Sequence, residues 1–238
     1  MKKKIVVWIK QRVKEAKAKG IILGLSGGID SSVVAALAKE AVGRNNVLGL
    51  YMPIHSQPQD LADAQLVAKK LGIKTKKIDL AKVYNSLISI LPVGSSLAKA
   101  NLKPRLRMLT LYYFANSLNY LVCGTGNKSE LMVGYFTKYG DGGVDILPIA
   151  NLLKKQVRIL AKELGIPEKV ITKPPTAGLW QGQTDEKEMG ITYNELDGIL
   201  ERLENKKKQV SSKEKVNKVK KMIEGSRHKR ALSKICYL

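Results

Sequence analysis

Four short strand-forming runs, residues 21–25, 47–52, 75–80 and 120–123, alternate along the first half of the chain with stretches whose apolar residues recur at helical spacing. Runs of four to six residues are too short for buried helices and suit strands covered on both faces. Strands separated by helices cannot pair as hairpins; they pair in parallel, each helix crossing one face of the sheet. The alternation therefore predicts an α/β fold, a doubly wound parallel sheet with helices on both faces, followed by C-terminal helices. The expected helices cover 2–19, 31–42, 60–71, 96–118, 152–164, about 193–206, and 212–224. The first, carrying Ile5, Val6, Ile9 and Val13, is expected to stop at Gly20. The fourth tolerates Pro104 near its first turns, and the fifth is ended by Gly165 and Pro167. A polar segment, 173–183, interrupts the pattern, and the Lys-rich stretch 206–221 reads as a solvated helical face.

At 238 residues the chain has room for one large domain, and we expect a single domain over 1–238. Its formal charge of +22 creates a field that attracts polyanions, nucleotides included. Aromatic residues make up only 5%, so the interleaved basic and stacking surface that holds single strands is not expected, and nucleic acid is not among the expected partners. Cys123 and Cys236 form neither a CxxC pair nor a zinc pattern, which points to a reducing compartment. The basic and then apolar start is interrupted by Lys10 and Arg12 too early for a signal peptide, and no stretch has the length of a membrane span. These features lead us to expect a cytoplasmic protein that does not engage a membrane.

Between the first strand and the next helix lies Ser26-Gly27-Gly28-Ile29-Asp30-Ser31-Ser32. Glycines let backbone approach an anion, and the amide groups of the helix start point at it. The hydroxyls of Ser26, Ser31 and Ser32 add donors, and Asp30 is placed to hold a magnesium ion that bridges phosphates. The chain has no GxxxxGK[ST] at this point and no GxGxxG, which argues against the common NTPase loop and against a Rossmann dinucleotide site. Ligands of doubly wound sheets gather beyond the carboxyl ends of the strands, so this loop and the one that begins Gly124-Thr125-Gly126-Asn127-Lys128-Ser129-Glu130 fall on one edge. Two carboxylates there, Asp30 and Glu130, could share a magnesium ion with substrate phosphates; Glu130 could equally be one half of a helical surface pair.

The loop resembles the SGGxDS signature of the ATP pyrophosphatases, enzymes with an adenine nucleotide alpha hydrolase-like fold that adenylate a substrate and release pyrophosphate. Four further blocks resemble the NAD synthetase family within that group: 101–108 (NLKPRLRM), 124–130 (GTGNKSE), 134–142 (GYFTKYGDG) and 178–186 (GLWQGQTDE). The resemblance spans about residues 20–230. It implies ATP-dependent amidation of deamido-NAD by ammonia through an acyl-adenylate, with magnesium as cofactor and a homodimer as the assembly. It implies ATP contacts at Gly24, Leu25, Ser26, Gly27, Gly28, Ile29, Asp30, Ser31, Gln57, Thr125, Lys154 and Thr176. It implies deamido-NAD contacts at Arg105, Lys138, Asp145, His228 and Lys229, metal ligands at Asp30 and Glu130, and Asp30 and Lys154 as the catalytic pair. Arg105 and Arg107 lie two apart on a helix and do not share a face; the resemblance favours Arg105 for the ligand. Pro104, where the family often has Ala, departs from the pattern.

No fused glutaminase is expected, because it would need a further domain with its own catalytic Cys. Segment 173–183 reads as a lid that keeps water from an acyl-adenylate. The long helix 96–118, with Leu109, Leu111, Tyr112, Tyr113 and Phe114, is the candidate dimer surface. Two rival readings make different demands on the sequence. A transfer-RNA thiolase would need catalytic cysteines or CxxC pairs, and a non-catalytic nucleotide sensor would lack the metal carboxylates.

Overall fold

The computed structural model describes residues 1–180, 182–205 and 212–236. Four parallel strands, β1 (Gly20–Gly24), β2 (Val47–Tyr51), β3 (Lys74–Lys77) and β4 (Tyr120–Val122), form one sheet in the order β3-β2-β1-β4. The helices are α1 (Lys2–Glu15), α2 (Ile29–Val42), α3 (Pro58–Leu71), α4 (Ala81–Ile90), α5 (Ser96–Leu118), α6 (Lys128–Val133), α7 (Lys154–Glu163), α8 (Glu168–Ile171), α9 (Asp185–Met189), α10 (Tyr193–Asn205) and α11 (Lys213–Gly225). The chain winds outward from β1 to β3 and then returns through α4 and α5 to β4 on the other side of β1. Winding reverses between β1 and β4, and the crevice at such a switch point is where ligands bind.

The pleat divides the core. Ile21 and Leu23 of β1 pack with α1, α2, α3 and α7 on one face, while Ile22 and Val122 pack with α5 residues Leu111 and Ala115 on the other. The expected helices on both faces are present. A third apolar cluster, separate from the sheet, joins Val133, Met189, Tyr193, Leu196, Ile199 and Val219 from α6, α9, α10 and α11 with Leu153 at the start of α7.

Several element boundaries differ from expectation. Helix α1 stops at Ala16, because Lys17 takes a left-handed φ of 51° and Gly20 already belongs to β1. A Cβ at Gly20 would lie 2.4 Å from the Asn46 carbonyl oxygen and 2.6 Å from the Tyr120 ring, so the strand needs glycine there. Strand β3 is an edge of four residues, three of them lysines, a composition that discourages pairing with another chain. Helices α6, α8 and α9 carry too few periods to have been read from the sequence, and the ten-residue α4 was not anticipated. Residues 206–211 of the Lys-rich stretch lie outside the described residues. The remainder forms α11, where Lys215 pairs with Glu195 and Val219 is buried. Among the described residues no helix is long and apolar enough to cross a membrane.

Candidate active site

The turn from β1 into α2 is shaped by steric necessity at Gly27. Its φ is +78°, and a Cβ there would lie 2.2 Å from the carbonyl oxygen of Asp60. The loop then closes on itself through hydroxyls: Ser26 and Ser31 Oγ are 3.1 Å apart, the Gly28 N–H donates to Ser26 Oγ, and Ser31 and Ser32 both donate to the Gly28 carbonyl. Helix α2 has no side-chain cap, so its first amide groups are available to an anion.

Asp30, in the first turn of α2, faces β4's side of the crevice. Its Oδ1 accepts from Asn127 Nδ2 at 2.9 Å and its Oδ2 from Lys154 Nζ at 2.6 Å. Lys154 Nζ also donates to Glu130 Oε1 at 3.0 Å and lies 4.8 Å from the centre of the Tyr193 ring. Asn127 is fully buried and starts α6 with a reciprocal capping box to Glu130, which fixes both side chains on one turn. Lys154 is only 1% exposed. It opens α7, whose first amide donates to Ser129 Oγ; Ser129 in turn donates to the buried Asp197, and that carboxylate also accepts from the Lys155 N–H. Asp197, on α10, thereby supplies negative charge at the start of α7.

This cluster holds more acid than base. Asp30, Glu130 and the buried Asp185 surround one lysine ammonium. Burial, with Lys154 opposing and Asp30 and Asp185 adding to the effect, pushes the Glu130 carboxyl above the usual carboxylate range. Asp185 is raised as well, again by burial first, and the ammonium of Lys154 is held charged by Asp30 and Glu130 against its own desolvation. Carboxylate oxygens with unbalanced negative charge, beside a phosphate loop, fit a magnesium ion that takes one or two carboxylates and completes its shell from substrate phosphates. Among the described residues no group of three or more acidic, His or Cys side chains forms a self-sufficient metal site.

Above the cluster lies a cavity of about 440 Å³, lined by Gly24, Leu25, Ser26, Gly28, Ile29, Asp30 and Ser31, by Thr125, Glu130 and Lys154, and by Thr176 and Lys229. Twelve of the residues singled out from the sequence therefore meet in one space. Gly27 lies just beneath it, and Gln57 is exposed at the start of α3, off the lining. Arg107, not Arg105, lines the cavity, its Nε donating to the Met52 carbonyl at 3.0 Å. Arg105, Lys138 and His228 form a separate surface group: Arg105 reaches the Lys138 carbonyl at 3.4 Å, and Lys138 Nζ donates to the His228 carbonyl at 2.8 Å. Asp145 stands apart, its oxygens accepting from the Tyr112 hydroxyl and the Val122 N–H. Lys229 holds the Gly134 and Phe136 carbonyls, just beyond the end of α6.

Sequence reasoning missed Asn127, Tyr193, Asp185 and Lys173. The spacing Asn127-x-x-Glu130 was a legible capping signal. Nothing local marks Tyr193, whose role depends on a third cluster folding against the sheet. Lys173, at the start of the polar segment, is shared by Asp60 and Asp63 at 2.8 and 2.9 Å.

A parallel sheet with its ligand crevice at the switch point, a glycine and serine loop at a helix start and an acidic pair opposite define a nucleotide-binding α/β protein of the ATP pyrophosphatase kind. The family profile described as NAD synthase matches residues 1–233, and the chain belongs to that family. It is 49% identical over 237 residues to the NH(3)-dependent NAD(+) synthetase of Carboxydothermus hydrogenoformans, covering 98% of this chain and 95% of that one. It is 50% identical over 231 residues to the enzyme of the same name from Archaeoglobus fulgidus, covering 96% and 93%. Among solved structures, an NMN synthetase from Francisella tularensis superposes with a TM-score of 0.92 at 40% identity, covering 100% of this chain and 97% of the other. An NH3-dependent NAD synthetase from Campylobacter jejuni does so at 0.87 and 30%, covering 99% and 97%.

Proposed function

We propose that the cavity is where ATP and deamido-NAD meet. The chain is a ligase that catalyses the ATP-dependent amidation of deamido-NAD with ammonia, the last step of NAD biosynthesis. The observation that carries the site assignment is the convergence of Asp30, Glu130 and Lys154 beneath the Ser26 loop. A carboxylate is a poor acyl donor, so the nicotinate oxygen first attacks the α-phosphorus of ATP and pyrophosphate leaves. Ammonia then attacks the acyl carbon and AMP departs. The loop from Ser26 to Ser31 and the start of α2 hold the phosphate tail through amide and hydroxyl donors. Asp30 and Glu130 would hold magnesium, which would neutralise the charge that builds on the phosphates. Lys154 keeps the two carboxylates together and presents a fixed positive charge to the same region, while Thr125 and Thr176 offer hydroxyls from opposite walls. None of these steps needs a covalent enzyme intermediate.

Deamido-NAD is held by Arg105, Lys138, Asp145, His228 and Lys229. Most of this group lies outside the cavity of a single chain, and on α5 the two turns that follow Arg105 on its own face are apolar, with Leu109 and Tyr113 each more than half exposed. Both observations support a homodimer in which α5 packs on a second copy and completes the dinucleotide site. The chain acts as one synthetase domain that takes ammonia directly, and the free cysteines Cys123 and Cys236 support a cytoplasmic setting.

Purified protein given deamido-NAD, ATP, magnesium and ammonium is expected to yield NAD, AMP and pyrophosphate; ADP and phosphate would refute the adenylation scheme. A second reading follows from the likeness to the Francisella NMN synthetase, namely that the chain prefers the mononucleotide acid. Competing the two acids for limiting enzyme decides between them, through the ratio of kcat/KM values.

A further inference from the structure

An unbroken series of side chains joins Glu130 to Gln183 and Leu179. The Tyr193 hydroxyl lies 3.1 Å from Glu130 Oε1 and 2.9 Å from Asp185 Oδ2. The other Asp185 oxygen is 3.0 Å from the Tyr135 hydroxyl, which is also 2.8 Å from Glu188 Oε2. That Glu188 oxygen accepts from Gln183 Nε2 at 2.7 Å, and Gln183 Oε1 accepts the Leu179 N–H at 2.8 Å. From the opposite wall the buried Lys103 of α5 donates to the Leu179 carbonyl at 2.6 Å. Segment and acidic cluster are thus mechanically connected over residues far apart in sequence.

Counting protons shows why the connection has two states. A phenol has one proton to donate, yet each of these two faces a carboxylate oxygen on either side. Of the four combinations, the one that leaves the buried Asp185 carboxylate with no phenolic donor is costly, since the two tyrosines are the side chains that donate to it. While Tyr193 serves Glu130, Tyr135 is bound to serve Asp185, and only when Tyr193 serves Asp185 is Tyr135 released to serve Glu188. In the first arrangement the lone pairs of Tyr135 face the charged Glu188 oxygen at 2.8 Å with no proton between them, which drives Glu188 away and loosens Gln183 and Leu179 with it. In the second arrangement Glu188 accepts from both Tyr135 and Gln183 and the segment is seated. A divalent cation on Glu130 repels the phenolic proton of Tyr193 towards Asp185, which frees Tyr135 to serve Glu188 and so opens the second arrangement. The change is rotation about two C–O bonds; no proton leaves its oxygen.

We propose that Tyr193 and Tyr135 are positioning residues, a pair of hydroxyl rotors through which positive charge arriving at Glu130 seats Gln183 and closes residues 173–180 over the cavity. The proposal rests on the adenylation reading above and gives it an order: the cover closes only when the metal and its nucleotide are in place. Its chemical purpose is to exclude water, which would attack the acyl carbon, regenerate the acid and release AMP without NAD.

The chain has two tryptophans, Trp8 on α1 and Trp180 in the segment, the latter 46% exposed. In a Trp8→Phe background, titrating magnesium in the presence of α,β-methylene ATP is expected to shift Trp180 emission, and the same protein is expected to release one AMP per NAD. Adding Tyr135→Phe should leave nucleotide affinity by calorimetry within about threefold, abolish the emission shift, and raise AMP released per NAD to about two or more. A Tyr135→Phe protein that keeps both the shift and the one-to-one ratio, or that merely turns over more slowly at that ratio, overturns the proposal. Should circular dichroism find that variant unfolded, Gln183→Leu is read against the same two outcomes. A parent protein that makes no NAD refutes the functional reading instead, so the two failures are distinguishable.

Discussion

The acidic cluster under the Ser26 loop and the surface group around Arg105 were both implied by the same family resemblance, yet they are built in opposite ways. In the first, side chains meet side chains: Asp30, Glu130, Lys154, Asn127 and Tyr193 satisfy one another in a largely buried space. In the second, Arg105 and Lys138 donate to backbone carbonyls at the surface, and Asp145 is occupied by neighbours of its own. The difference teaches that one chain preorganises the acidic cluster through its own side chains but leaves the Arg105 group loosely tied. A preorganised site loses much when any one member is removed; a loosely tied group should lose less and, where the proposed second copy completes it, in a concentration-dependent way.

Substitutions should reveal that contrast in order of size. Asp30→Asn, which keeps shape and removes charge, is expected to lower kcat by about 10³-fold with an unchanged circular dichroism spectrum, the scale of losing a preorganised electrostatic group; near-normal turnover would break the comparison at its root. Gly27→Ala forces a Cβ to within 2.2 Å of the Asp60 carbonyl oxygen at a φ of +78°, and should destabilise the fold by about 3 kcal/mol, seen as a fall in Tm of about 6–12 °C.

A smaller effect concerns Asp63, which anchors Lys173 at the start of residues 173–180. Burial opposes its charge, but hydrogen bonds from Lys169, Lys173 and Gln59 outweigh it and hold the carboxyl down at about 2. Because the folded value lies below the unfolded one of about 3.9, the stabilisation is complete above that pH and is lost as pH falls towards 2. It amounts to about 2 kcal/mol. Asp63→Asn should therefore flatten the acid limb of a stability curve measured by urea unfolding between pH 5 and pH 2, and an unchanged slope would contradict the anchoring role. Smallest of all, Arg105→Ala should raise the KM for deamido-NAD about tenfold while leaving that for ATP alone. If the surface group is completed by a second copy, the wild-type KM for deamido-NAD should also rise on dilution below the dimer dissociation constant, as followed by sedimentation. A dilution-independent KM would remove the asymmetry between the two regions.

Local pattern carried most of the fold. Helix α5 begins and ends where its Ser95 cap and Leu118 place it, despite Pro104, and β1 and β2 lie within a residue or so of their apolar runs. The short helices α6, α8 and α9 were not legible, since four to six residues complete too few turns for a period to register. In the site, the loop from Ser26 to Asp30 announced itself because glycine conformation and helix-start chemistry are local properties. Arg105 and Arg107 illustrate the limit. Spacing established that the two face different ways, but which of them turns to the cavity depends on where Met52 and the end of β2 lie, 55 residues earlier.

By itself the sequence determined the parallel α/β class, the phosphate loop and the family, because each depends on contacts between residues a few positions apart or on motifs read in order. Only the tertiary structure decided that Lys154 would be shared by Asp30 and Glu130, that Asp197 would lie at the start of α7, and that Tyr193 and Tyr135 would bridge three carboxylates. Those contacts join residues up to 124 positions apart. They form only when α7 packs on α2 and the third helical cluster packs beside them, and no periodicity or composition along the chain encodes a distance across those junctions.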